Sequence, residues 1–493
     1  MAGQALRKPR NESMNVKPRG GVRTRSKQQA MAYEKNVKKA NAKASYGSKP
    51  KASVGMQNGM LKTSITPIAA HQRAGARAAE VNAPSVRETS GRRGGAAAFP
   101  KPMPKQQTAA KAQPKLKHYY DFYLFIGVLM IFAIGLMMVY SSSQYTAIMD
   151  GESHTYYFFK QFVIGAAGIV FIILCSVMSG LCIKFLKKFA YPIFGVTLLL
   201  AGLTMILGFS SNGSTRWLRI AGVSIQTAEL VKIGLILYMA KAISKYGFSV
   251  GRKEHAWKII IVCLVTSVII AKENLSSGII VAGIAFVMFF VANKNWKWFV
   301  AIGILGLAAL IFAKPLTAYI VEQLGIVNIS DVPYRIRRVL AWACPELFPD
   351  DAYQTMQGLY AIGTGGLLGQ GLGESIQKFG ALPEAQNDMI FTIICEELGF
   401  IGASAIVFVY ALIIVRLMDI ADHAADLFSS MLCVGILAHI SIQVILNIAV
   451  VTGTIPNTGV TLPFISYGGS AVLCTMAEMG IALAVSHEIY TEA

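Results

Sequence analysis

The sequence predicts an all-α polytopic membrane protein, with ten transmembrane helices and a large external loop between helices 7 and 8. Three observations carry this. Of the 493 residues, 54% are hydrophobic and only 15% charged, with a mean hydropathy of +0.50. A soluble chain carries about 25% charge. Apolar stretches of about 20 residues, the length that spans a bilayer, follow one another from residue 122 onwards. Lys and Arg gather on alternate loops between them, as expected of loops kept in the cytoplasm. Together these exclude an ordinary soluble enzyme, and they exclude nucleic-acid binding as a first reading.

The chain divides at residue 117. Residues 1–117 hold 25 Lys and Arg against four Glu and no Asp, a net charge of +21. Residues 118–493 hold 21 basic and 22 acidic groups and are nearly neutral. The first part has almost no aromatics and no sustained apolar period, so it cannot bury enough surface to offset chain entropy. It reads as a disordered basic cytoplasmic arm. Beside a membrane span such an arm is drawn to anionic lipids, at roughly 1 kcal/mol per basic residue near the surface. It has no apolar core near Met1, so it is not a secretory signal. It also has no interleaved aromatics to stack nucleic-acid bases.

Residues 118–493 form the membrane domain. Clear spans lie at 122–140, 161–183, 189–208, 275–293, 427–451 and 464–486. Weaker ones lie at 226–245, 256–271, 298–318 and 388–415, where charges, a short length or a proline interrupt the pattern. With the arm inside, KFLKK (184–188), the basic segment 241–258 and KNWK (294–297) fall inside, and both termini are cytoplasmic. The loops 141–156 and 452–463 fall outside and lack Lys and Arg. Arg216 and Arg219, and the cluster Arg335, Arg337 and Arg338, break the rule. Orientation does not need them there, so they are candidates for binding an anion.

The largest external segment, 319–388, is of a size that carries function or contains helices of its own. Its glycine run GLYAIGTGGLLGQGLGES (358–375) lacks both G-x-G-x-x-G and G-K-[ST]. Close packing and tight turns explain it best, with a backbone nest for diphosphate as the alternative. Seven cysteines show no CxxC and no Cys/His spacing for zinc, and read as small apolar residues. Asp388 stands where this loop enters an apolar helix, with Glu384 before it and Glu396 and Glu397 two turns after. A carboxylate at a helix start can serve the helix dipole. Several acids at membrane depth, each costing about 2.5–3.5 kcal/mol or more, point to function. Glu229 and Lys232, three apart, can pair on one helix face in a structural or coupling role.

Four ordered segments resemble the SEDS family (shape, elongation, division, sporulation; FtsW/RodA/SpoVE type). They are NGSTRWLRIAGVSIQTAELVK (212–232), YRIRRVLAW with YQTMQGLYAIGTGGLLGQGLG (334–373), LPEAQNDMIFTIICEELGFIG (382–402) and VTGTIPNTGVTLPFISYGGSA (451–471). The last two are the most specific. Departures from the family pattern include Thr227, Ala228, ENLSSG (273–278), Gln386, Asn387, Thr454 and Asn457. The long basic arm is most similar to the cell-division, FtsW-like branch.

The resemblance implies a SEDS-type bundle and a peptidoglycan glycosyltransferase. Its substrate would be lipid II, the undecaprenyl-diphosphate-linked disaccharide peptide, polymerised into β-1,4 glycan strands. The acceptor sugar hydroxyl displaces undecaprenyl diphosphate with inversion. A weak nucleophile needs one base, and a diphosphate leaving group needs countercharge. Asp388 is the expected catalytic base, and Arg216, Arg335 and Lys378 are the expected external cations. Glu384, Ser466, Gly468 and Gly469 are further candidates to line the substrate site. No metal site is expected, although a divalent cation, Mg or Mn, is a second source of countercharge. The resemblance also implies a class B penicillin-binding protein as partner, within division or elongation machinery. A lipid II flippase or transporter, using Glu229, Lys232, Glu396, Glu397 and Glu478 as a polar path, is one competing reading. A non-catalytic scaffold recruited through the arm is another.

Overall fold

The computed structural model describes residues 116–211, 214–220, 223–325 and 332–492. The expected basic arm, apart from its last two residues, lies outside them. Twelve α-helices are described: α1 Phe122–Met149, α2 Tyr156–Val177, α3 Ser179–Leu207, α4 Thr227–Tyr246, α5 Lys253–Glu273, α6 Leu275–Ala292, α7 Trp296–Gln323, α8 Tyr334–Ala343, α9 Pro349–Gly365, α10 Ile390–His423, α11 Leu427–Val451 and α12 Gly469–His487. Nine of these are long and apolar enough to cross a membrane. The tenth expected span is α4. It has the length, 20 residues, but carries Glu229, Lys232, Lys241 and Lys245. It sits in the middle of the bundle, packed on α3, α6 and α11.

The chain crosses the bundle ten times, so both ends of the described chain lie on one side. The strand β1 (Leu116–His118) pairs antiparallel with the last strand (Tyr490–Glu492). Tyr119 N–H donates to the Ile489 carbonyl at 2.9 Å. Arg416 near the end of α10 forks onto Asp121, which caps α1 by accepting from Leu124 N–H. The opposite, distal side holds α8, α9 and the turns 366–389, so the large loop contains helices of its own. It also holds a small antiparallel meander: β2 (Phe209–Ser211), β3 (Ser214–Ile220) and β4 (Val223–Gln226), with Trp217 opposite Gln226. The strand from 490 to 492 is therefore β5. The helical expectation passed over this meander, although STRWLRI combines β-favouring Thr, Trp and Ile with hairpin dipeptides on either side. KFLKK is likewise not a loop but lies inside α3, where Lys187 pairs with Asp426, the N-cap of α11.

The core runs along α11 and α12. Both are apolar on most faces, as helices surrounded by others must be. The outer helices leave large apolar side chains such as Ile206 and Phe408 exposed, as a lipid-facing belt requires. The extreme is α7, where only Val321 is buried.

Helix α10 is broken. Gly399 has φ 68° and ψ −172°, a region open essentially to glycine alone. The break frees backbone groups that the chain from 366 to 371 satisfies. Gln370 and Gly371 N–H donate to the Glu396 and Glu397 carbonyls, and Phe400 and Ile401 N–H donate to the Gly366 and Leu367 carbonyls. The glycine run permits this approach. A Cβ at Gly365 would lie 1.9 Å from the Cys395 oxygen, and one at Gly369 2.2 Å from the Glu397 oxygen. Packing, rather than a phosphate nest, accounts for these glycines. Gly399→Ala should therefore lower stability by about 1–3 kcal/mol, read as thermal unfolding in detergent. Gly303→Ala on α7, where a Cβ meets nothing within 4 Å, should stay within about 0.5 kcal/mol.

Candidate functional site

Asp388 lies two residues before α10 on the distal side, and is 8% exposed. It is not the helix cap, because that position is Met389. Its backbone is fixed from below. Asn447 on α11 donates one amide N–H to the Asp388 carbonyl at 2.9 Å and the other to the Val460 carbonyl at 2.7 Å. The neighbouring residues are fixed from the side. Ser466 Oγ donates to the Asn387 carbonyl at 2.6 Å, and Tyr467 N–H to the Gln386 carbonyl at 2.9 Å. Ser466 Oγ also accepts from Leu462 N–H at 2.7 Å. The segment 452–468 thus folds back into the bundle and grips 386–388. Close approach needs glycine at 459, which has φ +67°, and a Cβ there would lie 3.6 Å from Asp388 Oδ2.

The other candidates separate into two groups. Glu384 and Ser466 join Asp388. Glu384 is exposed, with a left-handed φ of 56° stabilised by Asn387, whose side-chain amide donates to its carboxylate. Gly468 and Gly469 face α2. Gly468 N–H donates to Gln161 Oε1 at 3.3 Å, and a Cβ at Gly469 would meet Ile164 at 3.1 Å. Burial pushes the Tyr467 phenol up, against the opposing pull of Lys160.

Lys378 is not the external cation expected of it. Its ammonium is buried and its donors reach Glu397 at 2.8 Å, Ser141 at 2.9 Å and the Gly373 carbonyl at 2.6 Å. An ammonium has three N–H donors, so all are engaged. Arg335 is exposed, but its guanidinium forks onto the Ala271 and Lys272 carbonyls at the end of α5, at 3.0 and 2.6 Å. The backbone of Arg216 lies on β3, and its side chain is outside the described ones. Glu229 and Lys232 form a buried ion pair at 2.8 Å in the core.

Residues missed in the sequence complete the distal site. Asn447 is one; polar residues four apart in an apolar helix were the signal. Arg338, already marked in the sequence as one of three clustered anion-binding candidates, joins it, donating to the Asn457 carbonyl at 3.1 Å. Arg338, Trp342, Asp351, Gln354, Pro383 and Asn457 help to line a cavity of about 190 Å³. Asn457 Oδ1 accepts from Gly459 N–H at 3.2 Å, which links the cavity wall to the segment beside Asp388. Among the described residues, no group of three or more His, Cys, Asp or Glu converges to hold a metal ion. The arrangement offers one carboxylate on a rigid backbone seat, joined through Gly459 and Asn457 to the wall of a cavity that Arg338 helps to line.

The family described as "Cell cycle protein" (FTSW_RODA_SPOVE) matches residues 122–491. The chain belongs to this family. The match takes in α8, Asp388 and the segment 452–468. "Stage V sporulation protein E" of Bacillus subtilis (strain 168) is 35% identical, over 74% of this chain and 96% of its own length. "Probable peptidoglycan glycosyltransferase FtsW" of Trichlorobacter lovleyi is 32% identical, over 74% and 93%. A solved structure described as "Structural coordination of polymerization and crosslinking by a peptidoglycan synthase complex" superposes with a TM-score of 0.58 at 25% identity, covering 74% of this chain and 97% of that one. The fold is thus the polytopic bundle of the FtsW/RodA/SpoVE family.

The Lys378–Glu397 pair is closed, with side chains 1% and 0% exposed. Removing one partner leaves the other charge buried alone. Lys378→Met should cost about 3–5 kcal/mol, and Lys378→Met with Glu397→Leu should recover most of it. Thermal unfolding of the two variants and of Glu397→Leu closes the cycle. A cation acting on substrate would instead leave stability unchanged.

Proposed function

We propose that this chain is a peptidoglycan glycosyltransferase that polymerises lipid II at the outer face of the bacterial cytoplasmic membrane. The observation that carries the reading is the seat of Asp388: the signature carboxylate, held by its backbone at the distal mouth of the bundle. The FtsW-named relatives support the activity. In this reading Asp388 takes the proton from the acceptor sugar hydroxyl as that oxygen attacks the donor's anomeric carbon. Undecaprenyl diphosphate leaves from the opposite face, giving inversion in a single displacement. No second carboxylic acid is needed, because diphosphate is a good leaving group and asks only for countercharge. Arg338 and Arg335 of α8 are the candidates for that charge, together with Arg216. Lys378 drops out, and no step is routed through a metal.

The orientation follows from charge. Lys184, Lys187, Lys188, Lys253, Lys258, Lys294 and Lys297 all lie towards the side of the chain ends. The positive-inside rule makes that side cytoplasmic and the Asp388 side external. The FtsW-named relatives support septal wall synthesis in division, with a sporulation or elongation paralogue as the alternative. The solved synthase complex supports a crosslinking partner, a class B penicillin-binding protein. The flippase reading loses its path, because the acids offered for it are closed by protein partners: Glu229 by Lys232, Glu397 by Lys378, Glu478 by His439 and Glu396 by the 375–377 turn.

The test is purified chain with its transpeptidase partner, given lipid II, with products sized on a gel. Asp388→Asn should reduce strand synthesis by about 10²–10⁴-fold or more, with expression and partner binding unchanged. Normal strands from that variant would remove the proposed base. Lipid scrambling without polymer would return the reading to a flippase.

A further inference from the structure

Three polar side chains of α11 lie four apart on one buried face: His439, Gln443 and Asn447, each 2% exposed or less. The last clamps Asp388, and the other two belong to a chain of contacts that the reaction as described does not use. His439 Nδ1 faces both carboxylate oxygens of Glu478 on α12, at 2.8 and 2.9 Å. His439 Nε2 lies 2.7 Å from Gln443 Oε1. Gln443 Oε1 also accepts from Lys232 Nζ at 3.0 Å, and Gln443 Nε2 donates to the Thr461 carbonyl at 3.0 Å and to Thr461 Oγ1 at 3.2 Å.

Donor and acceptor chemistry fixes these roles without any choice of tautomer. Lysine can only donate, so it must meet the amide oxygen of Gln443. The Thr461 carbonyl can only accept, so it must meet the amide nitrogen. Both ends orient the amide the same way. His439 Nε2 therefore carries a proton and donates to Gln443. Nδ1 and Glu478 then share a second proton, which leaves the His439–Glu478 pair neutral overall.

We propose that His439 and Glu478 are positioning residues for the transferase site: through Gln443 they hold the re-entrant segment 459–461, and with it Gly459, against the carboxylate of Asp388. This rests on the glycosyltransferase reading. The route is short. Gln443 fixes Thr461, Asn447 fixes Val460 and the Asp388 carbonyl, and Gly459 follows close to the Asp388 side chain, near enough that a Cβ there would lie 3.6 Å from Asp388 Oδ2. A buried ion pair is often replaceable by apolar residues without loss of stability. A shift of about 1 Å at a reacting group can cost about 100-fold in rate. Stability and rate should therefore come apart.

The experiment uses the full chain with its transpeptidase partner and compares wild type, His439→Met/Glu478→Leu and Gln443→Glu. The glutamate keeps an acceptor for Lys232 and His439 but cannot donate to Thr461. Both variants should keep a near-normal melting temperature and near-normal KM for lipid II, with kcat down 10- to 100-fold. Hydrogen–deuterium exchange should rise at 457–461 and 386–389, and not along α1 or α3. Normal kcat, or unchanged exchange in those segments, would overturn the inference. Wild type that makes no polymer overturns the glycosyltransferase reading instead, while the exchange comparison still decides the positioning role. If a variant melts far below wild type, His439→Gln with Glu478→Gln replaces the pair by two neutral hydrogen-bonding side chains. Full kcat in that variant, with weakened exchange protection restored, supports positioning; lost protection with full kcat refutes it.

Discussion

The site depends on one constraint: a non-helical backbone segment, 452–468, enters a bundle whose surroundings supply no hydrogen-bonding solvent. Lipid cannot satisfy a carbonyl, so irregular backbone at such depth survives only where protein does. The side chains that perform this are scattered along the sequence. Asn447 takes the Val460 carbonyl, Gln443 that of Thr461, Tyr410 that of Pro463 and Gln161 that of Ser466. Each comes from a helix, and each is buried. The rigidity of Asp388 is a consequence, because its carbonyl and those of the two residues before it are accepted into the same set of bonds.

The opposite device supports the other edge of the site. Where 452–468 is held by side chains, the break in α10 is held by backbone. Gly399 takes a conformation closed to other residues, and the turn 366–371 completes the hydrogen bonds it opens. Glu396 and Glu397 sit immediately before the break, and their carboxylates bind the next stretch of the same loop, at Ser375, Ile376, Gln377 and Lys378. The acids that look catalytic in the sequence therefore moor the loop from which Asp388 emerges. Their task is to fix where that loop turns back into α10.

This explains what the sequence could and could not disclose. Spans were legible because twenty apolar residues leave little choice, and 427–451 matches α11 at both ends. The position of Asp388 was legible because it is the last acid of the loop before an apolar run begins, and the structure starts α10 two residues later. Lys378 was misplaced because a lysine in an external loop reads as solvated until Glu397 and Ser141 are known to face it across the fold. The β2–β3–β4 meander was passed over because seven alternating residues are a weak signal between two long apolar runs. The stripe His439, Gln443, Asn447 was present in the sequence as a four-residue period, but its partners Thr461, Val460 and Glu478 lie on other segments.

Charge placement argues for chemistry at the rim over transport through the middle. Inside the bundle Glu229 pairs with Lys232, Glu397 with Lys378 and Glu478 with His439, so moving one partner of a pair would leave the other buried alone. A carrier needs polar groups that exchange partners as substrate passes. The charged groups nearest the distal surface are Asp388 on its backbone seat, Arg338 on the cavity wall and Glu384 in its left-handed turn. A polymerase that leaves its lipid tails in the membrane needs chemistry only at that depth. A closed core then serves it as a scaffold, because a site whose reacting groups must align within fractions of an ångström gains from supports that do not move.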